Sequence, residues 1–219
     1  MTTMKLVSLA MVVRMGLGVH SKVNWQIRCL SQLANKIADN PFRIEERTKK
    51  VEDGAGGLVD QKIKFPVWFE SLADCGTPMR EALKLARESL ADWLMQHPTS
   101  FPPIVINITD GESNDGDPTS EAEAIRELSS DDGNVLLFNL HLSSQRTKPI
   151  EFPDSVENLP DEYAKLLFSM SSLLPPHLQE AARQENYSVS ERTRGFAFNA
   201  DLVSVITFLD IGTRPSNLR

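Results

Sequence analysis

The chain has 219 residues, enough for one α/β domain with a full core or a domain carrying a small insertion. Hydrophobic residues are 41% and charged residues 24%, ordinary for a globular protein, and a net charge of −7 argues against wrapping nucleic acid, which needs clustered Lys and Arg. Cys29 and Cys75 form no Cys-x-x-Cys pair and His20, His97, His141 and His177 are scattered, which argues against a zinc site or disulfide framework and for a reducing, cytoplasmic setting.

Met4 to Val19 is apolar but shorter than the ~20 residues of a membrane span. Arg14 interrupts it and no small-x-small cleavage site closes it, so it reads as a buried strand rather than a signal peptide. Residues 22–39 offer Trp25, Ile27, Leu30, Leu33 and Ile37 as anchors before Asn40-Pro41 breaks the segment. Arg43 to Lys50 is locally basic with two Glu, and reads as a solvated helix face or loop. After the flexible turn Asp53 to Gly57, Leu58 to Phe69 alternates in period two, the pattern of a strand with one face buried. Pro66 makes it an edge or interrupted strand.

The clearest helix follows, over 78–96. Met79, Ala82, Leu83, Ala86, Leu90, Trp93 and Leu94 share one face. Thr77 is its expected N-cap, Pro78 its first residue and His97-Pro98 its end. Ile104 to Thr109 is apolar at nearly every position, as in a central parallel strand covered on both faces, and stops at Asp110-Gly111. A polar, acidic loop runs from Glu112 to Asp117. Pro118 opens a helix to about Ser130, and Asp131-Asp132-Gly133 turns into a strand over 134–142. Residues 144–160 read as a surface loop. Helices are expected over 161–174, 177–183 and 202–209, and a short strand over 196–199.

Strands alternating with helices predict an α/β fold, a doubly wound, mostly parallel sheet flanked by helices. The expected organisation is a strand plus an irregular or helical insertion over 1–57, a core over 58–213 and a tail over 214–219. In such sheets ligands bind outside the carboxyl ends of the strands. Asp110 and Thr77 should share that rim, and a hydroxyl with a carboxylate suits a hard cation such as Mg²⁺.

Ile104-Val-Ile-Asn-Ile-Thr-Asp-Gly111 resembles the fourth strand of von Willebrand factor type A (VWA) domains with its closing Thr-Asp-Gly. Gly76-Thr77-Pro78-Met79 is similar to the family's Gly-Thr-x-hydrophobic segment. The resemblance covers roughly residues 58 to 212. It implies two of three parts of a metal-ion-dependent adhesion site, with Thr77 and Asp110 holding Mg²⁺ directly or through water. The last metal position would be left to an acidic side chain of a protein partner. The third part, Asp-x-Ser-x-Ser after the first strand, does not occur in the chain. Val12 to Val19 looks more like the family's second strand, so the first strand and its helix are expected to be missing by truncation or loss, and Mg²⁺ to bind weakly.

Bland alternatives stand beside these roles. Thr77 can simply cap its helix and Asp110 the turn after its strand. Asp110, Glu112, Asn114 and Glu121 mimic EF-hand ligand positions, but Gly116 falls one position late and a strand precedes the loop. Ser169, Ser171 and Ser172 lie in a helix without a recognisable base, and no P-loop or dinucleotide fingerprint occurs. The expectation is a protein-binding module, not an enzyme, with no nucleic acid or membrane partner. The rivals are a metal-dependent enzyme on a Rossmann-like sheet using Asp110, and a non-functional fragment of a larger VWA protein. The enzyme would need a second carboxylate at a neighbouring strand end, and Leu142-Ser143-Ser144 offers none.

Overall fold

The computed structural model describes residues 10–14, 40–52, 54, 57–67, 77–109, 111–143 and 147–214. The anchors predicted over 22–39, both cysteines and Asp110 lie outside the described residues. The chain divides into two compact units, residues 26–72 and the remainder.

Strand β1 (Ala10–Arg14) belongs to the larger unit; in the smaller one, strand β2 (Arg43–Glu52) pairs antiparallel with β3 (Leu58–Val67). Two expectations are corrected here. Arg43 to Lys50 is a strand rather than a helix face or loop, because each of its residues has a cross-strand partner on β3. The 58–67 strand has no fully buried residue: the hairpin is two-stranded, so neither strand is sandwiched between neighbours. Pro66 is tolerated because each strand of such a ribbon is an edge. The Arg47 guanidinium sits 3.7 Å from the Phe65 ring centroid and bonds the Glu45 carboxylate, which the Arg47 and Arg43 hydrogen bonds hold below its usual pKa.

The larger unit is mixed α/β. Its elements after the hairpin are α1 (Met79–Gln96), β4 (Ile104–Thr109), α2 (Thr119–Glu127), β5 (Ser129–Ser130), β6 (Gly133–Asn134), β7 (Leu136–His141), β8 (Ile150–Glu151), α3 (Glu162–Met170), α4 (Pro176–Gln184), β9 (Phe196–Phe198) and α5 (Leu202–Thr213). The main sheet has the order β1-β4-β7-β9-β8. The β1–β4, β4–β7 and β7–β9 pairings are parallel, and β8 joins β9 antiparallel. The segment read from sequence as an N-terminal buried strand thus lies, over 10–14, against the strand that leads into Thr-Asp-Gly.

The predicted neighbours 104–109 and 134–142 are indeed parallel, though 133–134 belongs to a separate small hairpin with 129–130. Residues 144–160 are corrected from a plain surface loop. They contribute β8, and Phe152 is only 2% exposed, stacked on Phe208 at 5.0 Å. Phe152 carries φ 51°, a costly backbone for a bulky residue, held by that packing. No helix among the described residues is long and apolar enough to cross a membrane.

Alternation along β4 and β7 divides the core. Ile104, Ile106, Phe138 and Leu140 point to one face, where Leu178, Ala181 and Ala182 of α4 and Phe208 and Ile211 of α5 cover them. Val105, Asn107, Leu137 and Asn139 point to the other, under α1, α2 and α3. There Met79, Leu83, Ala86, Leu90 and Trp93 are buried, as the helical spacing predicted.

Candidate ligand-binding rim

Because β4, β7 and β9 are parallel, their carboxyl ends open on one rim. The geometry there starts with the motif that ends β4. Thr109 Oγ1 accepts from the Gly111 amide at 3.1 Å, a local bond that holds the end of β4 to the start of the loop. Gly111 has φ +103°, and an added Cβ would lie 2.6 Å from His141 Nε2. The position therefore needs glycine twice over, for its backbone and for the close approach of the imidazole. His141, the register partner of Thr109, is 3% exposed and packs edge-on against Phe198 at 4.9 Å.

The same loop is stitched to the start of α1. The Thr77 amide donates to Asn114 Oδ1 at 2.6 Å, and the Thr77 carbonyl accepts from the Asn114 amide at 3.0 Å. Thr77, 7% exposed, is thereby held beside the loop that follows Asp110. The expected capping role of Thr77 is corrected: α1 starts at Met79 with Pro78 before it and no side-chain bond from its own cap residue. Asp115 does the capping from across the loop. Its Oδ1 accepts from the Arg80 amide at 3.0 Å and its Oδ2 from the Glu81 amide at 2.7 Å. A carboxylate there also meets the positive end of the helix dipole. Burial pushes the Asp115 pKa up, but the amides of Glu81 and Arg80 and the Ser113 hydroxyl outweigh it and hold it below the usual value.

The other loop oxygens are similarly engaged. Ser113 Oγ donates to Asp115 Oδ1 and the Gly116 carbonyl. Asp117 accepts from the hydroxyl and amide of Thr119 at the start of α2, which lowers its pKa. Glu121 bonds Arg87 Nε at 2.8 Å, joining α2 to α1, so it does not converge with Glu112 and Asn114 as an EF-hand ligand. Glu112 stays exposed. Among the described residues no three of His, Cys, Asp and Glu gather as a metal site. Of the predicted ligands, Thr77 is on the rim and Asp110 lies outside the described residues, between two that are described.

The serines that sequence reading found without a recognisable base are each hydrogen-bonded to the backbone, Ser169 Oγ to the Leu166 carbonyl. Ser171 Oγ donates to the Leu167 carbonyl and accepts from Asn139 Nδ2, and Ser172 Oγ accepts from the Leu137 amide. Sequence reading missed Asp115 as a cap and missed the tie of Asn114 to Thr77. Their one signal was a run of Asx and Ser residues, which suits turns and caps as well as solvent. No family model, no curated protein and no solved structure matches the chain.

Proposed function

We propose that the chain is a VWA-like protein-binding module on a doubly wound sheet, acting in the cytoplasm without catalysis, whose partner engages the rim at Thr77 and Asp110. The observation that carries this reading is the pair of hydrogen bonds between Thr77 and Asn114, which holds the start of α1 against the loop after β4. The glycine-dependent turn at Gly111 supports it, since it gives the loop one defined course. Thr77 and Asp110 are the two oxygen donors assigned to Mg²⁺. Ser113, Asn114, Asp115 and Asp117 are engaged within the protein, and the residues after β1, Met15 to Ser21, include no Asp. These residues fit a loosely held, mostly hydrated ion and do not fit a tight one, because Mg²⁺ demands near-ideal octahedral geometry. An acidic side chain of the partner would complete its shell.

Titration calorimetry should give a Kd for Mg²⁺ of about 1 mM or weaker, and Asp110→Ala should change it little. Micromolar binding lost in Asp110→Ala would replace the partial site with a complete one. For the partner, a photo-crosslinking residue substituted at exposed Glu112 should capture a discrete protein in cells, while one at Glu88 on α1 should not. Equal capture at both positions, or none at Glu112, would remove the rim as the binding surface.

A further inference from the structure

Helix α5 is apolar on nearly all sides, a composition expected of a covered helix. Phe208, Ile211 and Gly212 are buried, and Val205 and Leu209 pack on the same core. On its other side Leu202 is 75% exposed, Val203 72% and Ile206 58%. These three fall within one arc of the helix, continued by exposed Asp210 a turn later. Isolated exposed apolar residues are ordinary, but a contiguous stripe marks an interaction surface.

Carboxylates border the stripe. Asp201 caps α5 by accepting from the Ser204 amide at 2.8 Å. Arg214 bonds both Asp210 and Glu185. A second copy of this chain would bring like charges together, with a net −7 on each. We infer that the exposed face of α5 docks a cationic amphipathic segment of a partner protein, whose apolar side chains cover Leu202, Val203 and Ile206 while flanking Lys or Arg side chains meet Asp201 and Asp210. Basic side chains suit this because their aliphatic stems lie along apolar surface while the charged heads reach carboxylates. This surface uses none of the residues assigned to Thr77, Asp110 and their loop, so it stands or falls separately from the rim reading.

The test uses two fluorescent peptides, each with a leucine stripe, one with lysines on its polar face and one with glutamate at those positions. Anisotropy titrations of the full chain should show the lysine peptide binding at least about tenfold more tightly than the glutamate peptide. Leu202→Ser with Val203→Ser and Ile206→Ser should weaken the lysine peptide about tenfold with an unchanged thermal melt. Asp201→Asn with Asp210→Asn keeps a side chain that caps well and should shrink the preference between the peptides. Equal affinity for both peptides, or full affinity in either variant, overturns the proposal. So does self-association in sedimentation that the triple variant abolishes, which would assign the face to a second copy.

Discussion

The two faces of β4 and β7 are built from neighbouring residues and held by different physics. On the face covered by α4 and α5, Phe138 is the centre: Phe208 meets it edge-on at 6.1 Å, and Gly195 and Gly212 leave room for its ring. On the opposite face Asn107 and Asn139 are register partners, both fully buried. Asn107 Nδ2 donates to Asn139 Oδ1 at 2.8 Å, and Asn139 Nδ2 donates to the Leu167 carbonyl and Ser171 Oγ. Apolar volume on one face tolerates any register that stays apolar. The amide pair on the other does not, because a slip of either strand by one residue would carry its amide into the aromatic layer and leave the other amide unpaired. One face thus supplies burial and the other specifies alignment.

Substitutions from the largest effect to the smallest can break or sharpen this contrast. Phe138→Ala should cost about 3–5 kcal/mol in urea unfolding, since it empties the centre of the apolar face. A loss under about 1 kcal/mol would mean that the face collapses around the gap. Gly195→Ala attacks the same site from the other direction. An added Cβ would lie 2.0 Å from Phe138 Cδ1, so overpacking should cost about 1–3 kcal/mol and broaden the Phe138 ring signals in NMR.

On the polar face, Asn139→Ala should cost about 1–3 kcal/mol by leaving the Asn107 amide and the Ser171 hydroxyl with fewer partners. A double-mutant cycle with Asn107→Ala should show coupling of about 0.5–3 kcal/mol, and strict additivity would deny the pair its aligning role.

The smallest effect should come from the rim. Asp115→Asn should cost about 0.5–1 kcal/mol, because Asn still caps but loses the charge at the helix end. The pH dependence has a defined sign. Asp115 is held below its ordinary value of 3.8, so its contribution is complete above that value and is lost as pH falls through the lower folded pKa. The acid limb of the stability curve should therefore flatten in Asp115→Asn, and an unchanged limb would detach Asp115 from the cap.

Much of the larger unit was legible because its elements announce themselves locally. The spacing of Met79, Leu83, Ala86, Leu90 and Trp93 specifies a buried helical stripe, and all five are buried. The β-branched run Ile104 to Thr109 specifies a covered strand, and all but one of its residues are buried. Less legible were segments whose partners lie far along the chain. Arg43 to Lys50 alternates no apolar residues, and only pairing with 58–67 makes it a strand. Ile150-Glu151 is too short to signal anything and exists because β9 offers an open edge. On the rim, the sequence indicated Thr77 as a cap and the acidic loop as solvated, whereas the loop's Asp115 takes the cap and its Asn114 takes Thr77.

By itself, then, the sequence determined the periodic elements and the glycine turn at Gly111, since periodicity and φ preference are properties of adjacent residues. The tertiary structure alone decided that Asn107 meets Asn139, that Asp115 caps a helix more than thirty residues upstream, and that α5 keeps Leu202, Val203 and Ile206 exposed. Each of these depends on which distant segment arrives as neighbour, and a hydrogen-bonding side chain carries no local mark of the partner it will find.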